Sequence, residues 1–152
     1  MHRTKPDTLA VALTDSPSGL AAWIVEKIQS WSDDRDGLWS VYRQDDVLQL
    51  LTETWVTGSI GPSMRMYAAN SRLPAEQLTR RVEVPSGFSL FPGDILRPPR
   101  DWLERSTNLV WLSEPARGGH FAAFEQPEIY ADELRAFVRA AVGAPPPASV
   151  PG

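Results

Sequence analysis

Arg117 to Glu128, RGGHFAAFEQPE, is the stretch around which the expected fold is organised. The apolar run that precedes it, Asn108 to Leu112, has the length of a strand that is buried on both faces. The two glycines allow the backbone to turn sharply, and the proline near the end of the stretch suits the first turn of a helix. We therefore predict a strand, then a loop that carries His120, and then a helix.

The position of His120 on this loop is typical of a functional side chain. Open α/β sheets place their ligands and catalytic groups at the carboxyl ends of their strands. The predicted loop places His120 at the carboxyl end of such a strand. A histidine that is buried for structural reasons is the alternative at this point.

A second strand is expected upstream, within Val82 to Phe91, where β-branched and aromatic residues are interrupted by proline and glycine. A short helix at Asp101 to Glu104 would connect it to the strand at Asn108 to Leu112. A strand, a short crossover, a second strand and a helix form the end of a parallel sheet. The predicted fold class is therefore α/β.

The first half of the chain is expected to be almost wholly helical. Apolar residues recur at intervals of three and four over about 17–31, 44–56 and 62–70, with Ser16 and Pro17 suited to the start of the first of these helices. Four charged residues between Ser32 and Gly37 indicate a solvated turn.

Composition excludes several classes of function. A net charge of −4 over 152 residues offers no basic surface for a nucleic acid. The chain contains no cysteine and only two histidines, far apart in sequence, so we predict no disulfide, no metal and no cofactor. The first residues lack the pattern of a signal peptide, and no apolar run approaches the length of a membrane crossing. A cytoplasmic location is expected.

Three segments together carry a resemblance to a known family. They are Asp15 to Ile24 (DSPSGLAAWI), Phe91 to Asp94 (FPGD) and Gly118 to Ala123 (GGHFAA). In this combination the chain closely resembles epoxide hydrolases of the α/β-hydrolase fold, of the microsomal type. The resemblance runs over nearly the whole chain but covers only the carboxyl-terminal part of such an enzyme.

The resemblance implies a division of the chain into three parts. Residues 1–73 would be the remainder of a helical lid, and residues 74–143 would be the end of the hydrolase core, with its last two parallel strands and their helices. Residues 144–152 form a proline-rich segment, which we expect to be a disordered tail.

The resemblance also implies roles for three side chains. His120 would be the general base, Asp94 the charge-relay acid that holds the histidine in one tautomer, and Tyr67 a lid hydroxyl that donates to the epoxide oxygen. From the residues alone, Asp94 could instead cap a turn, and Tyr67 could be an ordinary tyrosine with a buried ring and a solvated hydroxyl.

The family's nucleophile is an aspartate in a Gly-Gly-x-Asp-x-Gly turn, and its oxyanion segment reads His-Gly-x-Pro. Neither pattern occurs in the sequence. We therefore expect a carboxyl-terminal fragment of an epoxide hydrolase that is inactive on its own. An unpaired apolar strand would favour association, either with a separate amino-terminal half or with a second copy.

Two alternatives remain open at this point. One is a hydrolase of the same fold that acts on haloalkanes or esters, for which the Tyr67 hydroxyl would not be required. The other is a non-catalytic binding or assembly domain, or half of a split enzyme. The substrate expected for the complete enzyme is a small apolar epoxide.

Overall fold

The computed structural model of the chain describes residues 3–143. These residues form two compact units. The first consists of residues 3–30 and 34–78, and the second of residues 31–33 and 79–143. The predicted assignment of a lid and a core to residues 1–73 and 74–143 stays a prediction, and the predicted tail at 144–152 lies outside the described residues.

The first unit is helical, as the spacing of its apolar residues predicts. Its helices are α1 Pro6–Asp15, α2 Pro17–Trp31, α3 Leu38–Val41, α4 Gln44–Val56, α5 Ile60–Asn70 and α6 Ala75–Thr79, of which α2 and α6 end in residues of the second unit. The start of α2 is fixed by Ser16, whose hydroxyl oxygen accepts a hydrogen bond from the Gly19 N–H at 3.0 Å. The core of the unit is formed where α1, α2 and α5 meet, at Ala10, Leu13, Leu20, Ile60 and Met64.

The second unit contains the sheet. Its elements are β1 Val82–Ser89, α7 Arg100–Ser106, β2 Thr107–Ser113, α8 Ala122–Glu125 and α9 Pro127–Gly143. The strands β1 and β2 pair in parallel, which confirms the predicted mixed α/β class with two parallel strands. The register shifts between Val82 and Pro85 and again between Ser86 and Gly87. A proline has no N–H to donate, which accounts for an irregularity at the first of these places.

Helix α9 packs on the two strands, and a glycine determines how closely it approaches. A Cβ atom at Gly87 would lie 2.3 Å from Cδ2 of Phe137, so no larger residue fits beneath this ring. Helix α9 thus lies against both strands of the sheet, and the loops that follow these strands carry Asp94 and His120.

The predicted solvated turn between Ser32 and Gly37 is partly wrong. Arg35 to Gly37 are exposed, but Ser32 and Asp33 are buried. The charge of the segment suggested full solvation, yet Asp33 is bonded to a distant part of the chain, as described below.

Within residues 3–143, no single helix is both long and apolar enough to cross a membrane. The pair α1 and α2, bent by 118° at its break, meets the requirement only jointly and only by length and composition, which is weak evidence for a span.

Candidate active site

The loops that follow the two strands are joined by their backbones. Gly93 and Gly119 form a parallel bridge beyond the ends of β1 and β2, and the Gly93 N–H donates a hydrogen bond to the Gly118 carbonyl at 2.9 Å. Asp94 and His120 are the next residues on the two loops. The parallel topology thus brings together two side chains that are distant in sequence.

The side chains of Asp94 and His120 are in direct contact. Nδ1 of His120 lies 2.9 Å from Oδ1 of Asp94. The same oxygen also accepts a hydrogen bond from the N–H of the next residue, Ile95, at 2.7 Å. Where the carboxylate oxygen is the acceptor of this contact, Nδ1 donates its proton and the lone pair of the ring lies on Nε2. This tautomer leaves Nε2 able to take a proton.

His120 is not a buried structural histidine. Its side chain is 38% exposed and that of Asp94 is 28% exposed. Both line an open depression of about 430 Å³, together with Ser89, Phe91, Phe121 and Tyr130. Water and a small molecule can therefore reach the ring, and the walls around it are largely aromatic.

Two acidic residues beside this site were not predicted from the sequence. Asp33 and Glu125 are 6% and 7% exposed, and their carboxylates accept hydrogen bonds from backbone N–H groups of the loop that carries His120. One signal for Glu125 was available. A glutamate in the first turn of a helix often reaches back to a free N–H at its start, as Glu125 does to Phe121. No local pattern could reveal Asp33, because its partner is 85 residues away.

Tyr67 lies in the first unit. It is on α5 and is 45% exposed. Its predicted role as a hydroxyl donor stays a prediction.

The described residues contain no group of three or more histidine, cysteine, aspartate or glutamate side chains that could hold a metal ion. The arrangement in the second unit is instead one of a single imidazole, its carboxylate partner and an accessible apolar depression. An imidazole paired with a carboxylate in this way can accept a proton from water or from another hydroxyl group.

Comparison with known proteins identifies relatives over most of the chain. No protein-family model matches it. It is 41% identical over 136 residues to a putative epoxide hydrolase of Stigmatella aurantiaca, a match that covers 89% of this chain and 30% of that protein. It is also 41% identical over 148 residues to epoxide hydrolase 1 of Sus scrofa, covering 91% of this chain and 33% of that protein.

A solved structure supports the same relationship. The crystal structure of juvenile hormone epoxide hydrolase from Bombyx mori matches with a TM-score of 0.80 and 34% identity, over 91% of this chain and 37% of that one. The fold is thus that of part of an α/β-hydrolase, as expected from the resemblance. The chain spans about a third of the length of the relatives that it matches. It belongs to the epoxide hydrolase family, of the microsomal and juvenile hormone type, and represents a portion of such a protein.

Proposed function

We propose that the chain is the carboxyl-terminal portion of an epoxide hydrolase, which adds water to an epoxide to give a vicinal diol. His120 acts as its general base and Asp94 as its charge-relay acid. The observation that carries this proposal is the 2.9 Å contact between His120 Nδ1 and Asp94 Oδ1 at the edge of an open apolar depression. The names of the relatives support the substrate class.

The reaction takes place in two stages. An aspartate carboxylate, supplied by another part of the enzyme, attacks one epoxide carbon and forms an ester. The ring C–O bond at that carbon breaks, and the ring oxygen takes a proton from a tyrosine hydroxyl such as that of Tyr67. Nε2 of His120 then removes a proton from water, which attacks the carbonyl carbon of the ester. The acyl C–O bond then breaks, so the diol leaves with an oxygen that came from the aspartate and takes the proton from the imidazolium. The new carboxyl group loses its proton, which returns through solvent to the tyrosinate.

Asp94 has two functions in this scheme. Its Oδ1 holds the proton on Nδ1, so that Nε2 is free to act as the base. It also stabilises the positive imidazolium that forms when Nε2 takes the proton of water.

The proposal predicts that the 152-residue chain alone forms no diol, and that activity requires a polypeptide that carries the nucleophile. The test is co-expression with the amino-terminal two thirds of the Stigmatella aurantiaca relative, followed by measurement of diol formation from a simple aromatic epoxide. Asp94→Asn should lower kcat by about 10³-fold to 10⁴-fold with little change in KM, because the ring loses its tautomer and its counter-charge.

The control for this experiment is Asp132→Asn, which removes an exposed carboxylate of the same unit that pairs with Arg135. It should leave kcat unchanged. Full activity of Asp94→Asn or of His120→Gln in the assembled enzyme would contradict the proposed roles. Diol formation by the isolated chain would contradict the need for a second segment.

A second candidate is a non-catalytic binding domain that keeps the depression. For a binding domain, the same co-expression experiment should give a stable complex with the amino-terminal part and no diol formation. The exposed imidazole beside its carboxylate favours the catalytic proposal, since simple binding of an apolar molecule does not call for a paired base.

The complete enzyme is proposed to act on small apolar epoxides. A cytoplasmic location also stays a prediction.

A further inference from the structure

Two buried acidic side chains beside the His120 loop have no part in the proposed reaction. Glu125 is 7% exposed and Asp33 is 6% exposed. Acidic residues are seldom buried to this extent unless their oxygens are bonded. Their hydrogen bonds therefore indicate what the burial achieves.

Glu125 links two segments of backbone through its two oxygens. Oε1 accepts a hydrogen bond from the Phe121 N–H at 2.9 Å, and Oε2 accepts one from the Asp33 N–H at 2.8 Å. Phe121 is the residue directly after His120. A carboxylate can accept at both oxygens, whereas a carboxamide has only one acceptor oxygen and would turn an N–H toward another N–H.

The segment that Glu125 holds, Trp31–Asp33, also supports the histidine directly. The Trp31 carbonyl accepts a hydrogen bond from the His120 N–H at 2.8 Å, and Oδ2 of Asp33 accepts one from the Gly118 N–H at 2.9 Å. The Trp31 ring meets the imidazole edge-on, with ring centres 5.4 Å apart. The backbone and the ring of His120 thus both rest on this segment.

We propose that Glu125 is a positioning residue for His120. By fixing the Phe121 amide and the Trp31–Asp33 segment at once, it holds the imidazole at the angle at which Nδ1 faces Oδ1 of Asp94. Loss of either bond releases one side of this support and allows the ring to turn away from its partner. The functional meaning of this role rests on the proposed general-base function of His120, but the geometric effect can be measured without turnover.

The test reads which ring nitrogen carries the proton. The chain has two histidines, and His2→Gln removes the second signal. The tautomer of neutral His120 is measured by NMR, from long-range correlations between the carbon-bound ring hydrogens and the nitrogen-15 nuclei of the ring. The spectra are recorded at about pH 9, above the usual range for histidine titration. We expect mostly Nδ1–H in the unmodified chain. Glu125→Gln should lower the ratio of Nδ1–H to Nε2–H by about tenfold, the effect of one lost charge-assisted hydrogen bond.

The matched control is Glu128→Gln, the same chemical change at an exposed position three residues away, and it should leave the tautomer ratio unchanged. Asp94→Asn is the positive control and should lower the ratio at least as much as Glu125→Gln. A merely structural role for Glu125 would lower the unfolding midpoint of a folded Glu125→Gln chain without changing the tautomer. That outcome would overturn the proposal.

If Glu125→Gln does not fold, amide hydrogen exchange on the unmodified chain decides the matter. The amides of Asp33, His120 and Phe121 should be protected to a similar degree, because they open as one unit. Exchange of Asp33 and Phe121 at the rate of an exposed loop would refute the positioning role. Neither measurement depends on diol formation, so a failure of the complementation experiment and a failure of this inference are distinct results.

Discussion

The hydrogen bonds of Glu133 allow a prediction that can be tested on the chain by itself. Its Oε2 accepts hydrogen bonds from the Ser89 hydroxyl at 2.8 Å, from the Trp111 indole N–H at 3.2 Å and from the Ser113 hydroxyl. Ser89 ends β1, Trp111 and Ser113 lie in β2, and Glu133 lies in α9. One carboxylate oxygen therefore ties the helix to both strands.

The size of the effect follows from these three bonds. A hydrogen bond to a charged group contributes about 1.5–3 kcal/mol where it is well buried. Glu133 is only half-buried, so we reduce the contribution to about 0.5–1 kcal/mol for each bond because of screening by solvent. Glu133→Ala should then lower the free energy of unfolding by about 2 kcal/mol. Glu133→Gln should lower it by about 1 kcal/mol, since the amide oxygen still accepts but carries no charge.

The effect should also depend on pH. Burial raises the pKa of Glu133, but the hydrogen bonds from Ser113, Ser89 and Trp111 outweigh it and hold the pKa below the ordinary value. A carboxyl group whose pKa is lower in the folded state stabilises that state above its unfolded pKa, and the stabilisation is lost as the pH falls through the folded pKa. The difference between the unmodified chain and Glu133→Gln should therefore be full near pH 7 and shrink as the pH falls below about 4.

Urea unfolding followed by far-ultraviolet circular dichroism at about pH 7 and pH 3.5 measures both effects. The control is Glu53→Gln, an exposed glutamate of α4 that should change the free energy of unfolding by less than about 0.5 kcal/mol. Equal unfolding midpoints for the unmodified chain and Glu133→Gln at pH 7 would refute the reasoning. So would a difference that persists undiminished at the lower pH.

Two further predictions concern the loop of His120 and the hydroxyl of Tyr67. Gly119→Ala should destabilise the chain by about 1–3 kcal/mol, because a Cβ atom there would lie 2.6 Å from the Trp31 carbonyl oxygen and 2.7 Å from the Asp33 nitrogen. Urea unfolding measures this change, and an unchanged unfolding midpoint would contradict the close approach. In the enzyme assembled with its amino-terminal part, Tyr67→Phe should lower kcat for an epoxide by about 10²-fold, since one donor to the developing oxyanion is lost. An unchanged kcat would exclude the Tyr67 hydroxyl from the proposed reaction.

The sheet and the contact between Asp94 and His120 could be predicted from the sequence for a definite reason. Both residues follow short apolar runs, and the stretch between them is long enough for a helix and a strand. A parallel crossover returns the second strand beside the first, so residues just beyond the strand ends meet at one edge of the sheet. Only local patterns and one general rule of topology are needed for this step.

The burial of Asp33 could not be predicted in the same way. Its neighbours Asp34, Arg35 and Asp36 indicate a solvated turn, and that reading is correct for Arg35 and Asp36. Asp33 differs because its oxygen meets the Gly118 N–H and lies 3.9 Å from the Arg117 guanidinium. The desolvation of its carboxylate is compensated by groups that no window around residue 33 contains.

The two glycines before His120 show how one local pattern can have two physical causes. A sharp turn explains Gly118, whose φ of 118° is one that other residues rarely adopt. It does not explain Gly119, which is required because a Cβ atom there would lie 2.6 to 2.9 Å from backbone atoms of residues 31–33. Since a carbonyl of the same short segment accepts a hydrogen bond from the His120 N–H, a side chain at position 119 would displace the support of the imidazole. The requirement for glycine at 119 and the orientation of His120 therefore have a common origin in residues near the end of α2.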